Sequence, residues 1–258
     1  MNQEYILLGG LIWKILGKKI YMWRNHHAGS FLTDIAAMFC EKVFCTSKFS
    51  YTAKYKKTAI LPVGVNTEIF KPSSGIRRVP HSILFLARMA KVKKPHILIQ
   101  ALQILRTRGL DFTASFYGDP IPADDTYYQS LKTQVAKSDL TDRITSYKGL
   151  PNAETVAIYN AHEIFVNLSS SGMYDKTIFG AMACGCFTLA SNENLRGNID
   201  SRMVIPQRTP EQVAEKLAAV LEMPAAEKKK ISDEEIKFAK TQSLNALSQK
   251  LYEMICIV

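Results

Sequence analysis

The chain has 258 residues, of which 47% are hydrophobic and 22% charged, and its formal net charge is +10. This composition is that of a soluble globular protein with one large or two smaller cores. The five cysteines have neither the spacing of a disulfide framework nor the paired spacing of a zinc site. Both classes are therefore excluded, and reduced thiols in a cytosolic protein are expected.

The positive charge is concentrated in the first third of the chain. Up to Lys94 there are 16 Lys and Arg against 4 Asp and Glu, whereas the remainder has 17 against 19. Such asymmetry favours an anionic partner, which could be a membrane surface, a lipid phosphate or nucleic acid, although a solvated basic face is a common alternative. The interleaved aromatic residues mostly have core-like spacing and no nucleic-acid-binding motif is present, so nucleic acid is not expected.

The chain opens with an apolar run at 5–16, which is too short and too interrupted by lysine to span a bilayer. It predicts a helix packed on a core, with contact to a membrane surface as the alternative. A β-rich segment follows at 19–23, and then a polar loop with His26 and His27 at the strand's carboxyl end, where α/β proteins bind ligands. These histidines could contact a sugar or a phosphate, or could simply face solvent.

A domain boundary and a parallel sheet are predicted next. Residues 60–72 indicate a strand that ends in a Pro/Gly turn, and the linker Pro72–Gly75 follows it. Hydrophobic strands and helical patterns then alternate up to Ala190, which predicts a doubly wound α/β sheet. The predicted strands are 82–87, 112–117, 144–147 and 164–168.

The last of these strands breaks into small polar residues and re-enters a helical pattern near Ile178. A helix start beyond a strand's carboxyl end is a natural phosphate site, although an ordinary serine-rich loop is equally compatible with the pattern. Further on, a helix opens at Thr209-Pro210, and the segment from Asp233 to Ile257 has the period of one helix.

Three motifs resemble the family 4 glycosyltransferases, the GT-B enzymes that take a sugar from a nucleotide diphosphate. The segment Asp175-Lys-Thr-Ile-Phe-Gly-Ala-Met-Ala-Cys-Gly-Cys-Phe-Thr-Leu-Ala-Ser191 resembles their donor-site segment. Residues 60–72 resemble their connection into the donor domain, and Arg88 with Lys93 resembles their Arg and Lys pair. Most of the chain can be laid along the family.

The resemblance implies a GT-B-like fold with one complete Rossmann-like donor domain and a partial N-terminal Rossmann-like domain. The expected ranges are 1–75 for the acceptor-side part and linker, 76–235 for the donor domain and 236–258 for a helix packing back on the N-terminal part. The implied activity is retaining, metal-independent transfer of a hexosyl unit from a UDP- or GDP-linked sugar, with no cofactor and no metal. Polysaccharide or glycolipid synthesis, in the cytoplasm or at the inner face of the membrane, is the implied setting.

The resemblance also implies site residues. Arg88 and Lys93 would bind the donor diphosphate, because fixed cations stabilise a leaving nucleotide diphosphate. The other expected diphosphate residues are Ser170, Ser171, Gly172 and Lys176, and Ser169 belongs to the same loop. The base and ribose are expected at Gly118, Tyr147, Lys148, Gly149 and Gly180. Asp175, which would meet the sugar or orient Lys176, and His26 or His27, which would lie near the acceptor, are the catalytic candidates.

Two departures from the family stand out. Glycines, Gly172 and Gly180, occupy the positions where the family usually carries two glutamates, so acceptors for sugar and ribose hydroxyls are missing. The chain also begins about midway through the first domain of a GT-B enzyme, which predicts self-association or a partner chain. A catalytically impaired fragment, or a subunit completed by another chain, is therefore the alternative to an active enzyme.

Overall fold

The computed structural model describes residues 3–169 and 172–256. The chain divides into two units. Unit 1 comprises 1–64, 171–174 and 244–258, and unit 2 comprises 65–170 and 175–243. Residues 65–75, which the sequence assigned to the first part, thus fall in unit 2, which continues to Ser243.

Unit 1 contains a short parallel sheet with the strand order β1-β2-β3. Its elements are α1 (Glu4–Ile15), β1 (Tyr21–Trp23), α2 (Phe31–Phe39), β2 (Lys42–Cys45), β3 (Thr58–Ile60) and, from the end of the chain, α9 (Leu244–Ile255). A small apolar cluster joins α1 and α2 to the sheet, formed by Ile6, Ile20, Met22, Ala36, Ala37, Cys40 and Val43. The helix predicted at 5–16 and the strand predicted at 19–23 are therefore confirmed.

Unit 2 is built on a five-stranded parallel sheet with the order β6-β5-β4-β7-β8. Its strands are β4 (Val79–Leu86), β5 (Thr113–Tyr117), β6 (Ile144–Tyr147), β7 (His162–Asn167) and β8 (Phe187–Ala190). Its helices are α3 (Pro95–Thr107), α4 (Asp125–Lys137), α5 (Thr155–Ala161), α6 (Lys176–Ala183), α7 (Pro210–Leu221) and α8 (Ala225–Thr241). The predicted doubly wound α/β fold is confirmed.

The core of unit 2 follows from this order. The chain winds outward from β4 to β6 in one direction and from β7 to β8 in the other, so right-handed crossovers put helices on both faces of the sheet. Helix α3 packs with α7, and α6 packs with α8. Strand residues such as Ile83, Phe85 and Ile164 are consequently fully buried.

The single helix predicted for Asp233 to Ile257 is wrong, because α8 ends at Thr241 and α9 begins at Leu244. The carbonyl oxygen of Gln242 accepts a hydrogen bond from the Val65 N–H at 2.9 Å. A carbonyl used in this way does not continue the helical ladder, and the chain leaves the helix at this point.

No helix within the described part of the chain is long and apolar enough to cross a membrane.

Candidate functional site

The strand order places a topological switch point between β4 and β7. These strands are neighbours in the sheet, yet the chain leaves β4 toward one edge and β7 toward the other. The connections after them therefore diverge and leave a crevice at the carboxyl ends of the strands, where open α/β sheets bind ligands. The residues that follow β4 and β7 are those expected to bind the diphosphate.

The loop after β4 carries Arg88 into this region on a fixed backbone. The N–H of Ala87 donates to the Tyr117 carbonyl at 3.1 Å and the N–H of Met89 donates to the Asp119 carbonyl at 3.0 Å, so the backbone is held on both sides of Arg88. Its side chain is exposed and makes no hydrogen bond or ion pair with any described residue. A guanidinium held in this way is available to a ligand.

Lys93 lies further along the same loop, and its side chain binds two residues of the connection between β7 and α6. Its Nζ is 2.5 Å from Asp175 Oδ2 and 3.0 Å from Ser169 Oγ. Both members of the ion pair are mostly buried, with about a fifth of each side chain exposed. The structure thus brings together three predicted residues, and Asp175 binds Lys93.

A wider network fixes the Asp175 carboxylate. Asp175 caps the N-terminus of α6, because its Oδ1 accepts from the N–H of Thr177 at 3.2 Å and from Thr177 Oγ1 at 2.9 Å. Asn167 Nδ2 donates to Asp175 Oδ2 at 3.3 Å. Burial alone would raise the pKa of Asp175, but the charge and hydrogen bond of Lys93, together with Thr177, hold that pKa below its usual value. The carboxylate is therefore ionised.

A cleft of about 300 Å³ lies at the carboxyl ends of β4, β5 and β6. Arg88, Gly118, Asp119 and Gly149 are among the residues that line it. Gly118 has a φ of +149°, and a Cβ there would lie 1.8 Å from the Ala87 carbonyl oxygen, so no other residue fits. The N–H of Gly149 donates to Asp119 Oδ2 at 3.0 Å, which joins the loops after β5 and β6 that line the cleft.

Two other expected base-contact residues lie at the end of β6. The ring of Tyr147 stacks on that of Tyr117, with centroids 4.4 Å apart and an interplanar angle of 11°, and Lys148 is exposed beside it. Neither residue lines the cleft. The stacked tyrosines form a half-exposed aromatic surface next to it.

Helix α6 holds the remaining predicted residues of unit 2. Lys176 is its exposed first residue. Gly180 is buried, and a Cβ at this position would lie 3.1 Å from the Tyr159 ring and 3.4 Å from the Phe70 ring. The aromatic rings would have to shift by a few tenths of an ångström to admit a Cβ, so the packing favours glycine there.

The other predicted residues lie outside this arrangement. Ser170 and Ser171 fall outside the described residues. Gly172 is grouped with unit 1, where its carbonyl accepts from Ser47 Oγ at 3.2 Å. His26 and His27 are also in unit 1, exposed in the loop after β1 with their rings stacked at 4.6 Å.

Sequence reasoning missed Asn167 and Thr177. Asn167 is the last residue of β7 and is 4% exposed, and its Oδ1 accepts from the Ser169 N–H at 3.0 Å. A polar residue at the end of a fully buried strand is the signal that could have identified it. Thr177 follows the capping Asp175, and nothing in the sequence distinguishes it from an ordinary helix residue.

The fold and the site define a class. A doubly wound domain that presents an arginine and a lysine at its switch point has the arrangement with which α/β domains bind nucleotides or phosphates. The sequence model of the family "Glycosyl transferases group 1" matches residues 66–238, and the chain belongs to this family. The matched residues include the loops after β4 and β7.

The similar proteins are glycosyltransferases. The D-inositol 3-phosphate glycosyltransferase of Paenarthrobacter aurescens (strain TC1) is 26% identical over 152 residues, which cover 55% of this chain and 36% of that protein. The D-inositol 3-phosphate glycosyltransferase of Pseudarthrobacter chlorophenolicus is 25% identical over 151 residues, which cover 35% of that protein. The chain thus spans about a third of the length of these curated relatives.

Solved structures match the whole chain in fold. Anabaena HepE in complex with UDP superposes with a TM-score of 0.86 at 17% identity, over 100% of this chain and 77% of that one. A glycosyltransferase from Rickettsia africae has a TM-score of 0.75 at 17% identity, over 96% of this chain and 79% of that one. The predicted GT-B-like fold is confirmed by these matches.

Proposed function

We propose that the chain transfers a sugar from a UDP-linked donor to an acceptor. The observation that carries the proposal is the exposed Arg88, which has no side-chain partner among the described residues and stands on a fixed backbone at the switch point, with Lys93 further along the same loop. The family supports the reaction class, and HepE, a protein of the same fold, was crystallised with UDP and with UDP-glucose.

The chemistry asked of these side chains is charge stabilisation. As the bond between the sugar and the diphosphate breaks, negative charge develops on the leaving phosphate, and fixed cations stabilise it. Arg88 offers a planar set of donors to phosphate oxygens. Lys93 has three N–H donors, of which Ser169 and Asp175 take two, so one remains for the ligand.

The donor's nucleoside is assigned to the cleft beside Arg88. Gly118 and Gly149 let the backbone approach a base closely, and the rings of Tyr117 and Tyr147 provide a flat apolar surface. Ser170, Ser171, Gly172, Lys176 and Gly180 stay predictions for contacts to phosphate, sugar and ribose. With glycine at two of these positions, Asp175 is the carboxylate left to the donor loop.

The test is the melting temperature of the purified protein with UDP, GDP, ADP and their sugar conjugates, because a ligand bound only by the folded state raises stability. We expect the uridine compounds to raise the melting temperature of the parent chain. Arg88→Ala should abolish this rise. Arg108→Ala, at an exposed position after α3, is the matched control and should leave the shift intact. A shift that survives Arg88→Ala would contradict the assignment of the diphosphate.

Retention of configuration and metal independence are proposed from the family resemblance. Product analysis by NMR should show the donor's anomeric configuration in the product. Turnover should persist in excess EDTA. An inverted product, or loss of turnover that Mg²⁺ or Mn²⁺ restores, would contradict these two expectations.

The acceptor side stays a set of predictions. His26 and His27 are exposed after β1, so either imidazole could contact an acceptor. His26→Ala and His27→Ala should lower the rate of transfer to an acceptor and leave UDP binding unchanged. Polysaccharide synthesis and contact with an anionic membrane surface are expectations from the family and from the basic first third of the chain.

A second candidate is a nucleotide-sugar-binding chain that needs a partner for turnover. One observation favours it: a structure with a TM-score of 0.74 to this chain, at 15% identity, is a complex, GtfA/B. Donor binding without hydrolysis or transfer, followed by activity after a partner is added, would support it. Transfer by the purified chain alone would exclude it.

A further inference from the structure

Helix α1 presents an apolar surface to solvent. Tyr5, Leu8, Ile12 and Ile15 follow one another at spacings of three, four and three residues and therefore share one face. Their exposed fractions are 68, 81, 59 and 76%. This set of four residues is called the α1 seam below. On the inner side, Ile6 and Gly10 are the buried residues of the helix.

A helix that is apolar on both sides needs cover on both sides. Side chains of this size and exposure leave on the order of 100 Å² each, and the neighbouring Leu11 and Leu16 are 60 and 63% exposed. Together the six side chains expose about 600 Å², which is most of the ~800 Å² that one partner contributes to a standard protein interface. The α1 seam and these two neighbours are thus large enough to form the centre of a dimer.

We propose that the α1 seam packs against the same seam of a second copy of this chain, with the two helices antiparallel across a two-fold axis. Such an interface is isologous, so one surface serves both copies. The spacing of three and four residues is that of helices packing side by side. Leu8 of each copy then lies close to Ile12 of the other.

The charges select the antiparallel orientation. Glu4 is in the first turn of α1 and Lys14 in the last, with Lys18 and Lys19 just beyond it. Antiparallel packing brings the acidic first turn of each copy level with the basic end of the other and keeps the two lysine groups at opposite ends. Parallel packing would place like charges side by side and align the two helix dipoles unfavourably.

Sedimentation velocity or light scattering over a wide range of concentrations tests the interface. We expect a monomer–dimer equilibrium, and Leu8→Glu or Ile12→Glu should raise the dissociation constant at least roughly thirtyfold, as loss of a central apolar contact does. Ile69→Glu, in unit 2 at a position 50% exposed, is the matched control and should dimerise like the parent chain. Circular dichroism and melting temperature confirm that each variant is folded.

Charge exchange tests the orientation. Glu4→Lys should weaken the dimer, because it places a positive charge level with the lysine-rich end of the other copy, and the loss should be largest at low salt. A Glu4→Lys dimer as strong as the parent dimer at low salt would overturn the antiparallel arrangement. A parent chain that is monomeric at every concentration, or a dimer insensitive to Leu8→Glu, would overturn the interface itself.

Flotation with phosphatidylglycerol-containing vesicles addresses the membrane as the rival occupant. We expect the parent chain to stay unbound while it dimerises. Binding to vesicles by a monomer, lost in Leu8→Glu and kept in Ile69→Glu, would assign the α1 seam to a lipid surface and overturn the proposal. None of these measurements depends on nucleotide binding, so they stand apart from the tests of the transferase function.

Discussion

Helices α1 and α3 are close in length and both are rich in apolar residues, but their surroundings differ. Helix α3 packs with α7 on the five-stranded sheet and buries Pro95, Ile97, Leu98, Ile99, Ala101, Leu102 and Leu105. Helix α1 packs with α2 and leaves most of its apolar side chains exposed. Apolar content predicts how much cover a helix needs, whereas neighbouring elements decide how much it receives.

The largest expected effect contrasts a leucine from each helix. Leu102→Ala should lower the free energy of unfolding by about 2–5 kcal/mol, because it leaves a cavity at a fully buried position. Leu8→Ala should change it by less than about 0.5 kcal/mol, because Leu8 is 81% exposed. Denaturant titrations at a concentration that favours the monomer measure both. Equal losses would show that α1 is covered within a single chain.

The next effect concerns the network at the switch point. Asp175→Asn should destabilise unit 2 by about 1–3 kcal/mol, because it leaves the mostly buried Lys93 without its counterion. Asp111→Asn is the control: Asp111 pairs with Arg143 at a site where the carboxyl is 80% exposed, and such pairs contribute about 0–1 kcal/mol. If the two variants melt alike, Asp175 does not hold Lys93 in solution.

A smaller effect is a pH dependence that unit 2 should show because of Glu235 on α8. Burial raises the pKa of this carboxyl well above 4.5, although the hydrogen bond from the Thr188 N–H at 3.0 Å opposes the rise. A raised pKa in the folded state gives stability that is fully present below pH 4.5 and is lost as the pH rises through the folded value.

Glu235→Gln removes this titration and keeps an oxygen for the Thr188 N–H. The variant should therefore gain melting temperature relative to the parent chain as the pH rises from acidic to neutral. Glu234→Gln, at the exposed neighbouring position, serves as the control. Parallel melting curves for Glu235→Gln and the parent chain at every pH would contradict the assignment.

Sequence periodicity predicted the elements of unit 2 well, because strands such as β7 and β8 are buried on both faces and helices such as α3 have one apolar side. The loop after β4 could be predicted equally well, since Arg88 comes just after a hydrophobic strand and Lys93 lies in the same loop. The packing of Gly180 could not be predicted from the sequence, because Phe70 and Tyr159, which fill the space over it, are distant in the chain. Asp175 was expected to contact a sugar or Lys176, and the structure gives it Lys93 as a partner.

The sequence by itself determined the order of strands and helices, the family and the presence of cations at the end of β4, because these depend on residues adjacent in the chain. The tertiary structure alone decided that Lys93 is held by Asp175 and Ser169 from across the switch point, that Asn167 supports this carboxylate, and that the outer face of α1 stays open. These features arise from residues that only folding brings together, and their burial and partners are set by the sheet order.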